Sequence, residues 1–142
     1  MAQKSYYQDM QQAVEKELKH QLARVKARSL NPFQEILTYH MGWTGDGADL
    51  KTRGKRIRSL LLLLITAASG HAWQPSLPAA SAVELIHNFS LIHDDIQDGS
   101  ITRRGRLSVW KKWGVPMAIN AGDALFSLAN LSILDLRKSY SD

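Results

Sequence analysis

The sequence predicts an all-α helical bundle, and three observations carry that expectation. Apolar residues recur at three- and four-residue spacing along most of the chain. Glycine and proline fall in short clusters that interrupt these periodic stretches. No segment shows sustained strand-like alternation, an internal repeat or low complexity. Periodic helical segments joined by short breaks build bundles.

The elements follow in order. Tyr7, Met10, Val14, Leu18, Leu22 and Val25 place an amphipathic helix over residues 5–28, with Glu15 and Lys19 spaced for an i,i+4 ion pair. A shorter helix runs to Met41, with Asn31 as N-cap and Pro32 at its first position. Residues 42–49 hold three glycines and two aspartates and read as a loop. Residues 55–69 form a buried helix stopped at Gly70. A loop with two prolines covers 71–78, and a long helix spans 79–98, ended by Gly99-Ser100. A basic turn over 101–106, a short helix over 107–113 and a last helix from Pro116 to Leu136 complete the chain.

The 142 residues match one domain, and 44% apolar with 22% charged residues is ordinary for a globular protein. The chain has no cysteine, which excludes disulfides and thiolate metal sites and fits a cytoplasmic setting. The polar N-terminus has no signal-peptide core. The longest apolar run, Leu60–Ala68, is too short for a membrane span. The net charge is +5, and ten of the eighteen Lys and Arg sit in two clusters, Lys51–Arg58 and Arg103–Lys112. Two compact basic clusters around an acidic one point to small anions, not to a nucleic-acid stripe.

Three constellations carry chemistry. On the long helix, His87, Leu91, Asp94 and Asp98 share a face, with Asp95 at its margin. Three carboxylates at the unfavourable end of a helix dipole need cations to compensate them. Hard oxygen donors suit Mg²⁺ or Mn²⁺, which complete their shells with water and phosphate. The bland alternative is a solvated acidic helix end paired with Arg103 and Arg104. The second constellation, Gly54-Lys55-Arg56-Ile57-Arg58, puts cations at a helix start, where an anion between them resolves the conflict with the dipole. The third is Arg103-Arg104-Gly105-Arg106. Solvated surface charge is the alternative for both basic segments, and a hydrogen-bonded core histidine is the alternative for His87. Together, a metal-linked anion site beside a metal-free basic one implies transfer between two anionic substrates.

These segments, in this order and spacing, resemble the trans-isoprenyl diphosphate synthases, or polyprenyl synthetases. The carriers are Gly54–Arg58, the run from His87 to Asp98, Arg103-Arg104-Gly105, and Ala118–Asp123. The resemblance covers about residues 50–130. It implies an all-α terpenoid-synthase (type I isoprenoid synthase) fold. It also implies Mg²⁺, or Mn²⁺, held by Asp94, Asp95 and Asp98 against an allylic diphosphate, with Arg103 contacting that diphosphate. Lys55, Arg58, His87 and Arg104 would bind isopentenyl diphosphate. The implied reaction is head-to-tail condensation of the two diphosphates.

The family carries a second aspartate-rich motif on a later helix, and nothing after Asp123 resembles it. Residues 1–142 are therefore expected to be the N-terminal portion of one prenyltransferase domain, inactive alone and either self-associating or paired with the absent half. The alternative is a non-catalytic small subunit that partners a full-length synthase. Arg53 and Ser59 stand where the family often has Gly and Pro. Phe89 and Ser90, five and four residues before Asp94, are expected to set product length, pointing first to geranylgeranyl and second to farnesyl diphosphate.

Overall fold

The computed structural model describes residues 2–25 and 32–140. Helices α1 (Ala2–Leu22), α2 (Pro32–His40), α3 (Ile57–Ala68), α4 (Leu77–Gln97), α5 (Val109–Trp113) and α6 (Val115–Tyr140) form the bundle. Met10, Val14, Leu18 and Leu22 of α1 are buried as their spacing requires, while Tyr7 is exposed. Asn31, and the predicted continuation of the first helix over 26–28, lie outside the described residues.

Helices α4 and α6 form the central pair. Leu85 and Ile92 meet Ala118, Ala121, Leu125, Leu128 and Ala129 in one core. The small residues on α6 allow close approach. At Gly122 an added Cβ would collide with Nε2 and Cδ2 of His93, so glycine lets that ring approach α6 closely. Ser81 and Ser132 hydrogen-bond across the pair at 2.6 Å, keeping buried hydroxyls satisfied.

Several expectations are corrected. Residues 101–107 are not a plain turn: β1 (Thr102–Arg103) and β2 (Arg106–Leu107) pair antiparallel, Arg103 opposite Arg106. Strands of two residues are too short to show alternation. Helix α3 is not buried all round. Ser59, Leu60 and Leu63 face the core, but Ile57, Leu61 and Ile65 are more than half exposed. Glu15 does not take Lys19 as its partner; it accepts from Arg56 and Trp43, and Lys19 lies over the Trp43 ring. The loop after Gly70 contains a 3₁₀ turn, Gln74–Ser76, that leads directly into α4 at Leu77. By length and composition α6, over Val115–Lys138, is apolar enough to cross a membrane. The run Leu60–Ala68 was thus not the decisive one. Because α6 packs its small residues against α4, it is accounted for as a bundle helix.

Candidate functional site

Helix α4 carries two polar stripes that diverge only at its C-terminal end. Along one, Glu84, Asn88, Ile92 and Asp95 are buried. Along the other, His87 and Leu91 are half-buried, and Asp94 and Asp98 are exposed. The boundary falls between two consecutive aspartates. Asp94 and Asp98 sit one turn apart on the open stripe, as their spacing predicts. Asp95 belongs to the buried one, and both its oxygens accept from Arg103, from Nε at 2.7 Å and from Nη2 at 2.8 Å. Among the described residues no group of three or more acidic or histidine side chains is arranged to hold a metal; the open carboxylates are a pair.

The chain end of α4 explains how Arg103 reaches Asp95. Gly99 adopts φ +64, the Gly99 N–H donates to Ile96 O and the Ser100 N–H to Asp95 O. This is a Schellman stop, in which a left-handed glycine turns the chain sharply. The hairpin that follows folds back under the helix. Its central residues, Arg104 at φ +52 and Gly105 at φ +75, give the type I′ turn that matches strand twist. A left-handed conformation costs a non-glycine residue about 1–2 kcal/mol. At Arg104 it sends consecutive arginines to different places: Arg103 to Asp95, Arg104 to the carbonyl of Thr52 at 3.0 Å.

The Gly54–Arg58 segment divides in the same way. Lys55 and Arg58 are exposed, whereas Arg56 is buried at 2% exposure. Its φ is +50, the other positive value for a non-glycine among the described residues. Arg56 donates to Glu15 at 2.7 Å, to Glu84 at 3.3 Å and to the Met41 carbonyl at 3.1 Å. Glu84 also accepts from Ser59 and Asn88. Arg56 thus joins α1, α2 and α4 at the start of α3, and its neighbours in sequence stay free at the surface. Charge alone does not distinguish Arg56 from Lys55 or Arg58; the family resemblance, which assigns only Lys55 and Arg58 to a substrate, does.

The cations converge electrostatically around α4. Burial, then the nearby charge of Arg58, with Arg104 and Arg103 further off, lowers the pKa of His87. Burial also lowers that of Arg104, helped by Arg56 and Arg103. His40, which the sequence reading passed over, lies beneath them. Burial first, and the charges of Arg104, Arg103 and Arg56 after it, push it down to about 3. A chamber of about 20 Å³, lined by His40, Thr52, Asp95, Arg103 and Arg104 among others, separates these groups. A positive field with exposed Lys55 and Arg58 at its edge is suited to a polyanion. The two open carboxylates at the other end are suited to a divalent cation.

Phe89 is half-buried one turn before Asp94. Its ring meets His93 edge-on at 4.7 Å and tilts against Phe126 of α6 at 5.3 Å. Ser90 turns its hydroxyl back to the His87 carbonyl at 2.8 Å. Phe89 thus packs against a second ring, Phe126 of α6, which the aspartate motif did not reveal.

Comparison with known proteins places the chain among relatives of known kind. Residues 48–141 match the family model described as polyprenyl synthetase. A (2E,6E)-farnesyl diphosphate synthase of Mycobacterium tuberculosis is 42% identical over 115 residues, covering 79% of this chain and 32% of that protein. A geranylgeranyl diphosphate synthase of Methanosarcina mazei is 54% identical over 76 residues, covering 54% of this chain and 24% of that protein. Among solved structures, a polyprenyl synthetase from Streptomyces coelicolor superposes with a TM-score of 0.76 at 38% identity, covering 91% of this chain and 38% of the other. The geranylgeranyl pyrophosphate synthetase of the archaeon Geoglobus acetivorans gives 0.76 at 30% identity, covering 95% and 39%. The chain spans about a third or less of the length of the curated relatives it matches. With residues 48–141, well over half of the chain, matched by that family model, the chain belongs to the polyprenyl synthetase family.

Proposed function

We propose that this chain supplies the first substrate-binding wall of a short-chain prenyl diphosphate synthase. The reaction is the head-to-tail condensation of isopentenyl diphosphate with an allylic diphosphate. The observation that carries the reading is the open stripe of α4: two exposed carboxylates, Asp94 and Asp98, one turn apart and flanked by cations. Two carboxylates fit the donor set of Mg²⁺, which takes one or two such ligands and keeps water and phosphate for the rest. Asp94 and Asp98 are the residues that would hold it, or Mn²⁺. A bound divalent ion supplies positive charge to the departing diphosphate.

The chain's own residues do the remainder. Arg103, half-exposed beside the carboxylates, offers its guanidinium to the allylic diphosphate. Lys55, Arg58, His87 and Arg104 form the metal-free basic set for isopentenyl diphosphate. The reaction breaks the allylic C–O bond, releases diphosphate, forms a C–C bond from the isopentenyl double bond and loses one proton. The α4–α6 wall around Phe89 and Phe126 faces the growing hydrocarbon, and the two packed rings favour a short product, geranylgeranyl before farnesyl.

A second reading, a non-catalytic partner of a full-length synthase, is favoured by α3, whose Ile57, Leu61 and Ile65 present an apolar face to solvent. One assay separates the two. The protein is incubated with Mg²⁺, isopentenyl diphosphate and dimethylallyl, geranyl or farnesyl diphosphate, and products are resolved by length. Condensation by a protein that contains this chain and a complete second half supports the enzyme. No turnover alone, with altered product length when the chain is added to a full-length synthase, supports the partner. Neither effect would falsify both.

A further inference from the structure

We propose that the pocket between α1 and the loop leading into α3 is a further anion site, which takes a phosphorylated small organic molecule. It lies apart from the basic set assigned to isopentenyl diphosphate and does not depend on that assignment.

The pocket has a volume of about 500 Å³, inside the usual range for small-molecule sites, roughly 300–1,000 Å³. Helix α1 gives one wall, with Gln11, Gln12, Lys16 and Lys19, and the loop gives the other, with Leu50 and Arg53. Among the described residues, Lys55, Arg58, His87 and Arg104 are not part of the lining. Gly54 marks the boundary. It borders this pocket, while a Cβ built on it would point at the guanidinium of Arg104.

Charge selects the ligand. Lys16, Lys19 and Arg53 bring three cations to the walls, and none of them forms an ion pair among the described residues. Lys19 only rests over the Trp43 ring, 5.7 Å from its centroid. Glu15 is the one carboxylate in the lining among the described residues. Both its oxygens are engaged, Oε1 by Arg56 Nε at 2.7 Å and Oε2 by Trp43 Nε1 at 2.8 Å. Arg53 gives the sharper sign, since its Nε is buried and has no hydrogen-bond partner among the described residues. A buried donor left unpaired is costly and calls for an acceptor. Three unpaired cations match a phosphate dianion better than a single carboxylate, and phosphate oxygens suit both the fork of Arg53 and the point charges of the lysines.

The body of the ligand follows from the loop wall. Leu50 is 79% exposed at the pocket edge. An exposed leucine beside unpaired cations suits an anion that carries a small apolar group.

The test uses naphthyl phosphate, a phosphate ester with an apolar body, titrated into the isotope-labelled chain. The indole N–H signal of Trp43 reports location and affinity together, because that group donates to Glu15 in the pocket wall. Trp43→Phe assigns the signal. We expect it to move saturably. Arg53→Gly, which installs the residue the family often has there, and Lys16→Gln/Lys19→Gln should each weaken binding at least about tenfold. The lysine variant changes only exposed side chains, so it keeps the test usable if Arg53→Gly does not fold. Lys55→Gln/Arg58→Gln should leave the affinity within about twofold. Naphthoate, a monoanion with the same apolar body, should bind at least about tenfold more weakly. A Trp43 signal that stays still, or unchanged affinity in Lys16→Gln/Lys19→Gln, overturns the proposal. Loss of binding in Lys55→Gln/Arg58→Gln also overturns it, since the ester would then belong to the basic set of the condensation. Equal affinity for naphthoate overturns the choice of phosphate.

Discussion

Gly54 lies against the guanidinium of Arg104: a Cβ at residue 54 would stand 3.0 Å from Arg104 Nη2 and 3.1 Å from its Cζ. Residue 54 also has φ +77, a conformation that costs any side chain about 1–2 kcal/mol. Gly54→Ala should therefore lower stability by about that amount and displace Arg104 from the Thr52 carbonyl. Urea unfolding checks the first effect, and a several-fold loss in pyrophosphate affinity by calorimetry checks the second. An unchanged affinity would remove Arg104 from the anion site.

Arg56 is expected to matter for stability and not directly for anions. Removing one partner of a buried ion pair typically costs about 3–5 kcal/mol, and Arg56→Ala leaves Glu84, itself 3% exposed, without its cation. Arg58→Ala, at an exposed position, should cost less than about 0.5 kcal/mol and weaken pyrophosphate binding instead. Denaturant midpoints of the two variants, measured together, give opposite rankings to their binding constants if the division is right.

The folded chain resists protonation of His40. Its pKa falls from 6.5 to about 3, so below pH 6.5 the unfolded chain takes up a proton that the folded chain refuses. Stability therefore declines as pH drops from about 6.5 toward 3, by at most about 1.4 kcal/mol per pH unit from this group. His40→Gln should flatten that slope between pH 6.5 and 5, whatever it does to stability at pH 7. Parallel slopes for the two proteins would show that His40 is not the titrating group.

Product length should depend on two rings. Phe89→Ala in the full-length protein is expected to shift products toward longer prenyl chains, and Phe89→Ala/Phe126→Ala to shift them further, because the rings meet at 5.3 Å. Chromatography of dephosphorylated products reads the distribution. A distribution that stays put in both variants means that the rings only pack the α4–α6 core.

The bundle was legible because burial in α1 and α4 follows the spacing of Met10, Val14, Leu18 and Leu85, Ile92, which periodicity alone reveals. The hairpin was not, since its strands have two residues each and its turn uses Arg104 where Asn would announce a type I′ turn. The same limit divides the site. Composition places Lys55, Arg56 and Arg58 together and the resemblance separates Lys55 and Arg58 from Arg56; the inward turn of Arg56, at a positive φ, is seen only in the structure. Helical spacing already set Asp95 at the margin of the Asp94 and Asp98 face; its partner Arg103, eight residues later and across a turn, was not legible. The apolar run of α3 gave no warning that part of it faces solvent, because a helix apolar on every side looks the same with or without its neighbours.

The most direct test of the account is Asp94→Ala in the full-length protein, with turnover and unfolding free energy measured on the same preparation. Asp94 is exposed and holds no ion pair among the described residues, and its removal relieves repulsion with Asp98 at a helix C-terminus. The account predicts that stability changes by less than about 0.5 kcal/mol, while condensation of isopentenyl diphosphate with the allylic diphosphate falls by about two orders of magnitude or more. Turnover equal to that of the unmodified protein would contradict the assignment of the open carboxylate pair as the site of the chemistry.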